Sequence, residues 1–283
     1  MTKTMSVRLA VSFLAIGSLW VAWTQQRTNA RQPAALSIEK VADDLYVIIG
    51  GGGNIGVLVT DEGVVLIDDK FDRDVENILA KVKSVTDQPV RYVINTHHHG
   101  DHSGGNAKLL KQAEIVMHKN ARANVLKNSQ EGASRLTFND EASLYLGGKE
   151  IRVMHFGRSH TSGDAVVYFP HLKVVHTGDM FIRGAPFIDY GNGGSAVAWD
   201  HTISQVLQLD FDTVIPGHGP VGKHSDMAKW RADYELFRNR FSELKRAGKS
   251  ADEIKAEISF DGLTGWDWSR LLLRSLPGLY QEL

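Results

Sequence analysis

Four histidines and one aspartate occupy six consecutive positions, His97-His98-His99-Gly100-Asp101-His102. Neutral imidazole and carboxylate are the nitrogen and oxygen donors that divalent metals accept, and zinc takes imidazole at about 2.0–2.1 Å. His97, His99 and Asp101 alternate, so in extended geometry their side chains leave on one side of the chain. Asp101 and His102 are adjacent, leave on different sides, and can serve a second ion. The neighbouring glycines, Gly100, Gly104 and Gly105, allow the loop to fold tightly. The chemistry this segment predicts is a metal site.

Composition narrows how such a site is built. The chain has 283 residues, 12 of them His, and no cysteine. That excludes disulfides, thiolate nucleophiles, iron–sulfur clusters and every cysteine-containing zinc site, so any metal must be held by nitrogen and oxygen. With 42% hydrophobic and 23% charged residues, the chain has the composition of a soluble globular protein. A formal net charge of −1 and no basic block argue against nucleic acid as the main partner.

The pattern His97-x-His99-x-Asp101-His102 resembles the signature of the metallo-β-lactamase superfamily. Four further motifs of that family stand in the right order: Asp68 at the end of an early strand, His160 in Ser159-His160-Thr161-Ser162-Gly163-Asp164, Asp179 in His176-Thr177-Gly178-Asp179, and His218 in Pro216-Gly217-His218-Gly219. The resemblance covers about residues 38–220. It implies an α/β fold, the αβ/βα four-layer sandwich, with the ions at one edge. It implies that His97, His99 and His160 hold a first zinc, that Asp101, His102 and His218 hold a second, and that Asp179 bridges them. His99 stands where diiron relatives carry Glu, which favours zinc, with iron or manganese as alternative occupants. Asp179 stands where well-known exported lactamases carry Cys and is similar to the bridging Asp of glyoxalase II-like members.

The reaction implied by the resemblance is attack on a carbonyl of a small-molecule substrate by a metal-bridging hydroxide, oriented by Asp101 as the catalytic residue. The expected activity is that of an exported dinuclear zinc hydrolase opening a β-lactam amide. The alternatives are a thioester, ester or lactone hydrolase of glyoxalase II-like type, or a metal-binding accessory or sensor protein of a periplasmic pathway. Asp68, Thr161 and Asp164 are candidates to hydrogen-bond the outer nitrogens of ligand histidines; strand-end or turn capping is their other reading. Arg183 and Asn192, after Asp179, are candidate substrate contacts or ordinary surface-loop residues. His98 is expected to point away from the metals, and His176 to be structural.

These residues need strands to place them. Apolar runs predict strands at 45–49, 55–60 and 64–68, with a hairpin turn at Asp61-Glu62-Gly63. Gly50–Gly53 reads as a flexible turn, and because Gly50–Asn54 stands where members of the resembled family carry a flap over the site, its shortness implies an open cleft. A helix is predicted over 72–85, where Val75, Ile78, Leu79, Val82 and Val85 share a face. Val90–Thr96 is a buried-strand pattern leading into the histidines, and 103–112 and 119–128 read as helices around a strand at 114–118. The second half repeats the idiom, with strands at 150–156, 165–169, 173–176 and 213–215 and a helix at 197–209. A long helix beginning near His224 carries Met227, Trp230, Tyr234, Phe237, Phe241 and Leu244 as a core face. Gly248 ends it, and Ser250 to Glu253 has capping-box spacing for another helix. Two strand-rich halves with interspersed helices predict sheets packed on each other and covered by helices.

Residues 1–30 carry Lys3, Arg8 and Arg27, no acid, and a 15-residue apolar run from Leu9 to Trp23. That length suits a secretory signal, with an uncleaved anchor as the alternative. The organisation expected is a signal peptide at 1–30, a linker at 31–37, a catalytic domain at 38–222 and a helical extension at 223–283 packed on the same domain. The mature protein is expected in the periplasm or secreted, as a monomer with no stable membrane partner.

Overall fold

The apolar runs of the first half are nearly unbroken because both faces of their strands are covered. In Val64-Val65-Leu66-Ile67, Val64 and Leu66 join a core under helices, while Val65 and Ile67 join a core shared with a second sheet. Residues 35–283 are described in this computed structural model and form one unit. The expected signal peptide and most of the linker lie outside the described residues.

Seven strands lie side by side in chain order: β1 (Ser37–Ala42), β2 (Leu45–Ile49), β3 (Ile55–Thr60), β4 (Gly63–Ile67), β5 (Val90–Asn95), β6 (Glu114–His118) and β7 (Leu136–Phe138). The first four pair antiparallel; β4 to β7 pair parallel. The second sheet has the order β13-β12-β11-β10-β9-β8, built from β8 (Glu141–Leu146), β9 (Lys149–Met154), β10 (Val166–Phe169), β11 (Val174–His176), β12 (Thr213–Ile215) and β13 (Gly222–Lys223). Only β11 and β12 pair parallel there.

Three cores fill the gaps between layers. Leu58, Ile67 and Ile94 of the first sheet meet Val153, Val167 and Phe169 of the second. The outer face of the first sheet packs on α1 (Val75–Lys83), α2 (Gly100–Ser103), α3 (Asn106–Leu109) and α4 (Lys119–Lys127) through Ile78, Val82, Leu109 and Val125, with α2 carrying site residues instead. The outer face of the second sheet is covered by α5 (Ala196–Val206), α6 (His224–Arg246), α7 (Ala251–Glu257) and α8 (Arg270–Glu282). Met227, Trp230, Tyr234, Phe237 and Phe241 of α6 are buried in this third core, as their spacing predicts. The layers are helices, sheet, sheet, helices: the four-layer αβ/βα sandwich.

The structure corrects several local expectations. The helix predicted over 72–85 begins with a 3-10 turn at Asp72–Asp74, and α1 ends at Lys83. The helix predicted over 103–112 is two single turns, α2 and α3, broken at Gly104-Gly105. There the Gly105 amide donates to the Asp69 carboxylate (2.9 Å) and a side chain at either glycine would strike the backbone of residues 69–71. Strands β1, β7 and β8 and helix α8 were not expected. In β8, Gly147-Gly148, both at positive φ (54° and 69°), make the tight turn into β9. In α8 the internal Pro277 masks a helical period.

Candidate metal centre

Every predicted ligand lies just beyond a strand end, in a loop or, for Asp101, His102 and Asp179, in a single helical turn. Asp68 follows β4, His97 to His102 follow β5, His160 lies beyond β9, Asp179 beyond β11 and His218 beyond β12. Strands β4 and β5 run parallel, as do β11 and β12, so their carboxyl ends open on one edge of the sandwich. The amide of Ala165 donates to the Thr96 carbonyl (2.7 Å) and fixes the two sheets' loops together.

Two donor groups form there. His97, His99, His160 and Asp179 make one, and Asp101, His102 and His218 the other; within each, the candidate ligand atoms lie within 4.8 Å of one another. In the first, His99 Nδ1 is 3.1 Å from His97 Nε2 and 2.9 Å from His160 Nε2. In the second, His102 Nε2 is 3.3 Å from His218 Nε2, and Asp101 Oδ2 is 3.4 Å from the same His218 atom. Four donors about 2.0–2.1 Å from a common tetrahedral centre stand roughly 3.3 Å apart, so these spacings suit zinc. Asp179 lies between the groups. Its Oδ2 is 3.6 Å from His160 Nε2 and 4.0 Å from His97 Nε2, while its Oδ1 is 3.2 Å from His102 Nε2 and 3.3 Å from His218 Nε2. Oδ1 is buried and without a hydrogen-bond partner, a cost that a bound cation would remove. The donor set fits two divalent ions sharing Asp179.

Electrostatics separates the two groups. Burial, reinforced by the neighbouring imidazoles, pushes His97 well below the usual histidine range, and burial likewise lowers His160. Both are therefore neutral at pH 7, the form a metal needs. Burial alone would lower His102 too, but Asp179, Asp68 and Asp101 outweigh it and hold that ring well above its usual value. Asp179 also raises His218. Burial opposes ionisation of Asp179, yet His218 and His102 keep its carboxyl well below the carboxylate range. In the metal-free protein the second group thus stores positive charge that a cation displaces, with release of protons.

The outer nitrogens of four of the five ligand histidines, His97, His99, His102 and His160, are engaged by protein groups. His102 Nδ1 is 2.8 Å from Asp68 Oδ2, and His97 Nδ1 is 3.1 Å from Thr96 Oγ1, which itself donates to Asp68 Oδ2 (2.8 Å). Asp68 thus contacts His102 directly and His97 through Thr96, one histidine of each group. Thr161 and Asp164 do not touch a ligand ring. Asp164 accepts from the amide and hydroxyl of Thr161 and from the Ser159 hydroxyl, closing the turn that carries His160. The partner of His160 Nδ1 is the Phe187 carbonyl (2.6 Å). The partner of His99 Nε2 is Asp189 (2.8 Å), a residue that sequence reasoning missed. No motif or spacing marks Asp189; only the fold brings it to His99.

The substrate candidates fare differently. Arg183 lines the cleft over the donors, but its guanidinium is tied to Asp226 (3.1 Å) and to the Pro220 and Val221 carbonyls. Asn192 does not line the cleft; its amide donates to Asp189 (2.7 Å) and supports His99 at second hand. His98 does not simply point away: it is buried beside His99, ring centroids 4.6 Å apart, and burial lowers it to about 3.

The glycine turn is not free. Gly53 donates to the Asp101 carbonyl (3.1 Å), and the Asn54 amide to the Gly217 carbonyl (2.7 Å). Asn54 Nδ2 donates to Pro216 and Gly219, and the buried Lys70 ammonium to the Gly53 carbonyl. A Cβ on Gly53 would collide with the His102 ring, and one on Gly217 with Asp179, so both positions require glycine for close approach. Burial brings Lys70 down to about 8.

Comparison with known proteins agrees with this geometry. A family profile described as Metallo-beta-lactamase superfamily matches residues 48–218. The type 2 metallo-beta-lactamase of Bacillus cereus is 30% identical over 172 residues, which cover 59% of this chain and 66% of that protein. The chain thus spans just under two thirds of that relative's length. A metallo-beta-lactamase structure from Pontibacter korlensis superposes with a TM-score of 0.62 at 24% identity, covering 69% of this chain and 96% of that one. A double mutant of a sec-alkyl sulfatase superposes with a TM-score of 0.74 at 19% identity, covering 87% of this chain and 50% of that one.

Proposed function

The chain belongs to the metallo-beta-lactamase superfamily, and from that premise we propose a metal-dependent hydrolase, in its fuller form an exported dinuclear zinc enzyme acting on a carbonyl substrate, first of all a β-lactam amide. The observation that carries the two-ion reading is the placement of Asp179, with one oxygen toward each of two histidine groups. His97, His99 and His160 on one side of Asp179, and Asp101, His102 and His218 on the other, would hold zinc, whose Lewis acidity would lower the pKa of water and polarise a carbonyl. Asp101 is the more exposed of the two site carboxylates, 28% against 13% for Asp179, and it lines the cleft. Its place suits it to take the proton of the attacking water and pass it to the leaving group. Asp68, Asp189 and the Phe187 carbonyl hold His102, His99 and His160 in one tautomer and direction. Similarity to the Bacillus cereus lactamase supports the β-lactam.

A second reading, hydrolysis of a thioester, ester or lactone, is favoured by Asp179 itself, an all-oxygen bridge instead of a thiolate. Export rests on residues 1–30, and the protein is read as a monomer acting on small molecules. A panel on the zinc-loaded mature chain separates the substrates. Chelator-sensitive opening of a chromogenic cephalosporin supports the lactam. Turnover of thioesters or lactones without it supports the second reading, and no turnover of any of them sinks both.

A further inference from the structure

Two arginines line the cleft, and they are not equivalent. Its volume is about 580 Å³, with His99, Asp101, His160, Asp179 and His218 at its base. One wall comes from beyond the superfamily match, from Gly265, Asp267, Ser269 and Arg274. Arg183 is ion-paired with Asp226 through Nη2, and its Nε and Nη2 also donate to two carbonyls. Arg274 forms no ion pair among the described residues, including none with Asp267 on the same wall. Its guanidinium carbon lies 4.6 Å from the Phe187 ring centroid. A guanidinium seated on a ring face keeps its in-plane N–H donors, the fork that matches a carboxylate.

The position of Arg274 is fixed relative to the metal ligands. Phe187 accepts from His160 Nδ1 through its carbonyl, and its ring packs on His99 and His160 at centroid distances of 5.9 and 5.4 Å. The next residue on each side of this contact is joined as well: the Ile188 amide donates to Ser275 Oγ (2.8 Å), and Ser275 Oγ donates back to the Ile188 carbonyl (3.3 Å). Leu272, Leu276 and Leu279 bury the inner face of α8 in the third core. A cation is thus held, without a carboxylate of its own, at the mouth of the histidine cluster.

We propose that Arg274 is a specificity-determining residue that binds an acidic group of the substrate, making anionic carbonyl compounds the substrate class of this site. The proposal rests on the hydrolase reading for the reaction, but not for the binding. The test uses the zinc-loaded protein and its Arg274→Ala, Arg274→Lys and Arg183→Ala variants, with zinc content checked in each. Calorimetric binding of phenylacetate and the neutral phenylacetamide gives a readout without turnover, and benzylpenicillin and its methyl ester give KM.

Arg274→Ala is expected to weaken phenylacetate about tenfold and to raise KM for benzylpenicillin similarly, with the neutral pair unchanged. Arg274→Lys should restore part of the difference, and Arg183→Ala should leave it intact. Equal losses for charged and neutral probes would overturn the proposal in favour of a structural role through Phe187. So would no loss at all, or an anion-selective loss in Arg183→Ala. Absence of chelator-sensitive turnover by the wild type would count against the hydrolase reading alone, since the phenylacetate comparison still decides Arg274.

Discussion

At the scale of single residues, Asp68 does more than its place at a strand end foretells. It is fully buried with φ of 67°, a backbone region that costs of order 1–3 kcal/mol in most residues and that Asp tolerates better than most. Its Oδ1 accepts from the Thr96 amide, and its Oδ2 from the Thr96 hydroxyl and His102 Nδ1, so one carboxylate directs His102 of one group and, through Thr96, His97 of the other. Asp68→Asn keeps the shape and loses acceptor capacity. Zinc affinity measured by chelator competition should fall roughly 10- to 100-fold, whereas Asp164→Asn, whose carboxylate serves only its own turn, should leave it near the wild-type value. Equal zinc affinities for wild type and Asp68→Asn would refute this role. The histidines were legible because four of them fall within six residues, with His97, His99 and Asp101 alternating as in a metal loop. Asp189 and the Phe187 carbonyl were not, because they come from a loop 90 residues from His99 and 27 from His160 whose own spacing carries no signal.

At the scale of elements, the site is a property of strand ends, and strands were read well where both faces are apolar. They were missed where one face is wet: β8 alternates exposed and half-buried positions on a sheet edge, and β7 is three residues long. His176, the last residue of β11, shows what such a strand end requires. Its Nδ1 accepts from the Gly178 amide (3.2 Å) and its Nε2 faces the Asn54 carbonyl (3.3 Å), an arrangement that needs the neutral ring. Burial accordingly lowers it to about 4 from the ordinary 6.5. Between these values the unfolded chain binds a proton that the native ring refuses. Its contribution to stability is therefore complete above pH 6.5 and is lost as pH falls toward 4. Urea unfolding at pH 7 and pH 5 should show His176→Gln losing less stability on acidification than the wild type, by on the order of 1 kcal/mol per pH unit. An equal loss in the two proteins would show that this ring does not carry the pH sensitivity.

At the scale of the molecule, the segment after β13 completes both the third core and the cleft wall. The four-layer order was legible because two strand-rich halves each carry their own helical faces. The docking of α8 was not legible, because it depends on Glu282, the final helical residue, reaching the start of α5. The Glu282 carboxylate accepts from the Ala196 amide (2.7 Å), the Tyr190 hydroxyl (2.8 Å) and the Ser195 hydroxyl, an anion at a helix N-terminus. Glu282→Gln should cost about 1–3 kcal/mol in denaturant unfolding without changing zinc content; an unchanged midpoint would contradict that anchoring role. The account as a whole turns on two ions sharing Asp179. The most direct measurement is turnover followed while the metal-free protein is titrated with zinc, alongside metal analysis of the saturated chain. The account predicts two zinc ions per chain, with full activity reached only at the second equivalent and abolished by chelator. Saturation at one equivalent, or turnover that survives complete removal of metal, would contradict it.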